Sequence, residues 1–163
     1  MTTTITAIDA ARADFAAEVC GLDLRQPLGP DDVTKVEAGM NRYGVLVFPG
    51  QNLTDEQQLA FTRNFGPLEP HYFVPGDNVQ AGRVSKEIND ISNLDRNNNV
   101  LPRDDRHRLF QLGNLLWHSD SSYKTVPVKY SLLSARAIPD RGLTRSLPTC
   151  VPRGTRWMRR RRR

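Results

Sequence analysis

Cysteine is scarce in this chain. Cys20 and Cys150 are the only two among 163 residues, so a disulfide-stapled scaffold is excluded and a reducing compartment is the default expectation. Long apolar runs are missing too. No stretch approaches the roughly 20 residues that cross a bilayer. The opening MTTTITAIDAARADF lacks a basic segment leading into an apolar one, so no secretory leader is visible and a cytoplasmic location is expected. No internal repeat is evident. Histidine is rare, with only His71, His107 and His118. Acid is absent from one place in particular: residues 143–163 carry eight arginines and no Asp or Glu.

That last absence changes the reading of the net charge, which is +5. Taking eight arginines from the 23 basic residues leaves 15 against 18 acidic ones, a net of −3 over residues 1–142. A mildly acidic body with an arginine tail is a poor match to a nucleic-acid binder, because no recognised nucleic-acid motif precedes the tail. Hydrophobic residues make up 38% of the chain, enough for a core, and the length suits one ordinary domain.

Short strand-like pieces occupy residues 3–28, broken by Gly21, Pro27 and Gly29. A helix is predicted next, opening on Asp31 and Asp32, with Val33, Val36 and Met40 along one face and Gly44 past its end. Val45 to Phe48 reads as a buried strand ended by Pro49-Gly50. A second helix begins at Thr54, where Thr54 and Gln57 have capping-box spacing. Leu59 or Phe61, then Phe65, supply its apolar face, and Gly66-Pro67 stop it. Residues 75–108 are polar and read as a functional lid or a disordered stretch, with one possible strand at Ile88 to Leu94. A further strand is predicted over Lys129 to Ile138. Early helices followed by strands argue for an α+β fold.

The sharpest local feature is His118-Ser119-Asp120. On a strand, residues i and i+2 share a face, so the imidazole and the carboxylate would converge. They would form two-thirds of a 2-His-1-carboxylate triad, the arrangement that holds Fe(II) with open positions for substrate and oxygen. The bland alternative is a surface histidine beside a turn aspartate. Trp117 is expected in the core, Ser119 in packing or a backbone hydrogen bond, and His107 in solvent.

The surrounding run NLLWHSDSSY resembles the iron-binding segment of the Fe(II)/2-oxoglutarate dioxygenases of the taurine and 2,4-dichlorophenoxyacetate dioxygenase family. GVLVFPGQNLTDEQQLAFTRNFGPLEPH, DISNLD and KYSLLSARAIP resemble other family segments in order and spacing, over roughly residues 10–140. The DSS form and RNFGPLE sit nearer the aryloxyalkanoate branch. The resemblance implies a double-stranded β-helix, or jelly roll, with flanking helices. It implies Fe(II), with 2-oxoglutarate and O2 as co-substrates and a small anionic prime substrate, aryloxyalkanoate- or sulfonate-like. It implies His118 and Asp120 as metal ligands, and Asn114 and His71 as substrate contacts. A homo-oligomer is possible for a full-length member.

The family also needs a distal histidine and an arginine for 2-oxoglutarate, and no histidine follows His118. Where GGDTEF and a helix near DMRAA should continue, the chain has GLTRSLPTCVPRGTRWMRRRRR. Back-translated with G/C-rich codons and read one frame over from the last base of Leu143, that tail can read DTEFADMRAAWDALD. A frameshift near residues 139–143 is therefore expected. On this reading residues 1–142 are the N-terminal half of a dioxygenase domain, incomplete at its C-terminus, and 143–163 are an out-of-family, disordered tail. The chain as written would be inactive. The alternatives are a non-catalytic metal-binding jelly-roll fragment and an arginine-tail nucleic-acid binder.

Overall fold

The computed structural model describes residues 2–69 and 83–136. His71, the first part of the polar stretch and the arginine tail lie outside the described residues. The chain divides into two compact units, Met1–Phe65 with the segment that starts at Ser134, and Gly66–Leu133.

The first unit is built on a three-stranded sheet. Strand β1 (Thr4–Ala7) runs antiparallel to β2 (Ala17–Cys20), pairing Thr4 with Cys20 and Ala7 with Ala17. Strand β3 (Leu46–Val47) runs parallel to β2. A parallel pair needs a crossover, and helix α1 (Pro30–Tyr43) supplies it. Pro30 enters where no amide donor is required, Asp31 and Asp32 complement the positive end of the helix, and Gly44 closes it at φ 69° by donating its N–H to the Met40 carbonyl.

The buried stripe of α1 is Val36, Gly39 and Tyr43, with Val33 and Met40 half-buried beside it. Gly39 is needed for closeness. A Cβ there would lie 2.8 Å from Ile5 Cδ1 and 3.2 Å from Leu46 Cδ1, so the helix rests on side chains of both outer strands. Ala17 and Val19 of β2 face the same core.

Helix α2 (Asp55–Arg63) starts as expected. Thr54 accepts from the Gln57 N–H, and the Gln57 side chain accepts from the Thr54 N–H. Leu59 and Phe61 are both buried, and Phe61 meets Phe48 and Phe65 edge-on at 5.6 and 5.2 Å. The helix ends at Arg63 with Asn64 as its cap, short of Gly66, because the Asn64 side chain donates to the Ala60 and Phe61 carbonyls and competes with further turns. Arg136 is tied back to this helix through Asp55 and, at 3.0 Å, through Gln58 Oε1.

The second unit is held mainly by polar contacts. Asp95 accepts from the Asn97 and Asn99 N–H groups at 2.8 and 2.9 Å and from the Asn99 side chain. Arg83 bridges Asp90, Ser92 and the Asp95 carbonyl. Helix α3 (Arg106–Gln111) is capped by Asp105, which accepts from His107 and Arg108, and a 3₁₀ turn (Leu112–Leu115) extends it.

Three sequence expectations need correction. Ile88 to Leu94 forms no strand; only a single bridge joins Leu94 to Val100, because the Asp95 side chain draws the backbone into a tight turn. Lys129 to Arg136 has no ladder partner among the described residues and is irregular. The run Val45 to Phe48 gives a two-residue edge strand, not a buried one, and Val47 is 42% exposed since β3 has a neighbour on one side only. No jelly-roll sheet is present among the described residues. What they show is a small mixed sheet with helices, in keeping with α+β. Among the described residues no helix is long and apolar enough to cross a membrane.

Two substitutions test the first unit. Thr54→Ala should lower stability by about 1 kcal/mol through loss of the cap, and Gly39→Leu by about 1–3 kcal/mol through overpacking; urea midpoints by circular dichroism check both. In the second unit the Asn99 N–H, then the Asn97 N–H and the Asn99 amide, hold the Asp95 carboxyl below its ordinary value. A lowered carboxyl stabilises above its unfolded value and loses that contribution as pH falls through the folded one. Amide exchange at Asn97 and Asn99 should therefore accelerate, beyond the intrinsic pH trend, only when pH drops below the usual aspartate range. Asp95→Asn should shrink that acid-dependent step.

Candidate metal centre

Residues 117–120 are irregular, not a strand, and Asp120 opens a turn that runs on through Tyr123. The expected convergence is nonetheless present. His118 Nε2 lies 3.3 Å from Asp120 Oδ1. The backbone bends so that residues two apart meet without a sheet to align them. The other ring nitrogen, Nδ1, is 2.8 Å from the Leu116 carbonyl. A carbonyl only accepts, so Nδ1 donates to it, and Nε2 is the ring nitrogen turned to the carboxylate.

This arrangement fits a cation. A neutral imidazole nitrogen and a carboxylate oxygen are both electron-pair donors, and 3.3 Å is an unfavourable separation for them unless a proton or a metal lies between. Two donors at roughly 2.1 Å from one ion and at right angles to each other stand about 3 Å apart. The Leu116 carbonyl plays the part that outer partners of ligating histidines usually play, setting tautomer and ring orientation. The donor set is incomplete: among the described residues no group of three or more His, Cys, Asp or Glu could hold a metal ion. Both side chains are about half exposed, at 43% and 52%.

The other expected site residues fall as follows. Asn114 sits in the 3₁₀ turn, exposed, and donates its amide to Gln111 Oε1 at 2.6 Å. His71 lies outside the described residues. His107 is half-buried at the start of α3, not fully solvated. Trp117 is 71% exposed rather than in the core. Phe110, Leu115, Leu116, Tyr123 and Val126 are exposed as well, at 65–84%.

One contributor escaped the sequence reading. Glu69, just after FGPL, accepts from Ser121 Oγ at 2.9 and 3.1 Å and pairs with Lys124. Lys124, and after it the Ser121 hydroxyl, hold the Glu69 carboxyl below its ordinary value, against partial desolvation and the charge of Asp120. Ser121 itself has φ 50°, in the left-handed region. Only the sign of the charges at 69 and 124 hinted at this link, across a separation of 55 residues.

Comparison with known proteins gives this geometry its setting. Residues 5–144 match the family described as taurine catabolism dioxygenase TauD, TfdA family. An alpha-ketoglutarate-dependent 2,4-dichlorophenoxyacetate dioxygenase of Cupriavidus pinatubonensis is 42% identical over 128 residues, 78% of this chain and 44% of that protein. A (S)-phenoxypropionate/alpha-ketoglutarate-dioxygenase of Sphingobium herbicidovorans is 34% identical over 132 residues, 80% of this chain and 40% of that protein. The crystal structure of AAD-2 in complex with Mn(II) and N-oxalylglycine superposes with a TM-score of 0.62 at 43% identity, over 78% of this chain and 39% of that one. The chain thus spans less than half the length of the relatives it matches. With the family match covering most of its residues, the chain belongs to the TauD/TfdA family of Fe(II)- and 2-oxoglutarate-dependent dioxygenases.

Proposed function

We propose that this chain is the N-terminal half, residues 1–142, of a non-haem Fe(II)/2-oxoglutarate-dependent dioxygenase that hydroxylates a small anionic substrate. The observation that carries the reading is the 3.3 Å approach of His118 Nε2 to Asp120 Oδ1 within the family match. His118 and Asp120 would hold the iron, and the Leu116 carbonyl would keep the histidine in its ligating tautomer. The bound iron supplies oxygen activation coupled to oxidative decarboxylation of 2-oxoglutarate. Asn114 and His71 are assigned to the prime substrate. An aryloxyalkanoate is favoured over a sulfonate, because the relatives quoted are named for phenoxyacetate and phenoxypropionate substrates. A cytoplasmic setting suits a reduced metal and two cysteines far apart in sequence.

Residues 143–163 are assigned to translation in a shifted frame. The family match ends at residue 144, where the likeness to DTEF exists only one frame over. The exposed apolar side chains from Phe110 to Val126 are in keeping with a domain whose later strands are missing. Two ligands hold a metal less tightly than three, and 2-oxoglutarate would lack its charge-assisted arginine partner. The 163-residue chain is therefore assigned metal binding without turnover.

Titration with Mn(II) should show weak binding by the wild-type chain, and a loss of tenfold or more is expected in His118→Ala and in Asp120→Ala. Succinate release from 2-oxoglutarate should be negligible for the 163-residue chain. It should appear in a version whose frame is restored after residue 142. Nucleotide sequencing across codon 140 should reveal a single insertion or deletion with a downstream histidine and arginine in the neighbouring frame. Unaltered Mn(II) affinity in both variants, or turnover by the short chain, would reject the proposal.

A further inference from the structure

We propose that Glu69 is a positioning residue for the Asp120 carboxylate, acting through the strained turn that begins at Ser121. The inference rests on the reading of His118 and Asp120 as metal ligands, and adds a residue to which nothing in that reading gives a role.

Four observations meet at this turn. Ser121 directly follows Asp120 and has φ 50°, a conformation that residues with a Cβ rarely adopt unless surrounding contacts impose it. The turn is closed by the Lys124 N–H, which donates to the Ser121 carbonyl at 3.0 Å. The Ser121 hydroxyl is shared between the two oxygens of Glu69, at 2.9 and 3.1 Å. The Lys124 ammonium pairs with the same carboxylate. One side chain from far upstream therefore grips both ends of the turn.

The peptide plane between Asp120 and Ser121 belongs to both residues. If Ser121 relaxed to an ordinary negative φ, that plane would rotate and carry the Asp120 carboxylate away from His118 Nε2, now 3.3 Å off. Ser121 has no glycine freedom to lower the strain. The Glu69 contacts supply the compensation. As an exposed ion pair Glu69 contributes little to global stability. Its effect is local, on where one ligand points.

Mn(II) titration of the 163-residue chain, read as the loss of the free aqua-ion electron paramagnetic resonance signal, tests this. Glu69→Ala should weaken Mn(II) binding on the order of tenfold, the lower end of what outer partners of metal ligands contribute, with the thermal midpoint unchanged. Glu69→Gln keeps an acceptor for the Ser121 hydroxyl and should recover part of the affinity. Ser121→Gly accepts φ 50° without strain, so adding Glu69→Ala to it should weaken binding much less than in the wild-type background. Glu56→Ala, on α2, should change nothing.

Wild-type affinity in Glu69→Ala, with binding lost in His118→Ala, would overturn the inference and leave the ligand reading standing. Undiminished affinity in His118→Ala would overturn both. A lowered midpoint in Glu69→Ala, or an equal loss in Glu56→Ala, would assign Glu69 to general folding and overturn its positioning role.

Discussion

Strand β2 is the one element among the described residues with hydrogen-bonded neighbours on both edges, and the order of the first unit depends on its burial. Ala17 and Val19 face inward beneath α1, at 0% and 2% exposure. Everything nearby is arranged to allow that cover. Gly39 lets the helix settle onto Ile5 and Leu46, Gly44 turns the chain back toward the sheet, and the Ala17 N–H reaches the Val45 carbonyl to start the parallel pairing. Hydrophobic burial is non-directional, so such polar and steric details decide which apolar faces meet.

The second unit obeys a different constraint. Among its described residues Leu101 is the one buried hydrophobic residue, while three carboxylates organise the backbone: Asp95 closes a loop, Asp105 caps α3, and Glu69 holds the turn after Asp120. Carboxylates fix local geometry well, since each accepts several hydrogen bonds. They do not replace a core. Ordered polar turns and an exposed Trp117 thus sit side by side in this unit.

What could be read from residue order follows from how far each interaction reaches. Helix α1 with its acidic start and Gly44 end, the Thr54–Gln57 box, and the pairing of His118 with Asp120 depend on residues within a turn or two, and all were legible. The strands predicted at Ile88 to Leu94 and Lys129 to Ile138 were not, because a strand is defined by a partner and periodicity cannot say whether one is present. Trp117 was misplaced for the same reason: an aromatic residue implies a core only when something is available to cover it. Glu69 was missed because its partners lie 52 and 55 residues away and nothing in the local pattern marks the contact.

These reaches bear on the proposed metal centre. An H-x-D pair is a short-range object: a bend between residues 118 and 120 brings its two donors together, and the Leu116 carbonyl sets the tautomer from two residues away. A third ligand is a long-range object that only a closed sheet can deliver. Metal affinity therefore rises in steps as the fold completes, and the last step, unlike the first, is inseparable from folding itself. The Glu69 contact belongs between the two. It spans 52 residues yet stays within one compact unit, so the turn after Asp120 is held without any contribution from the first unit.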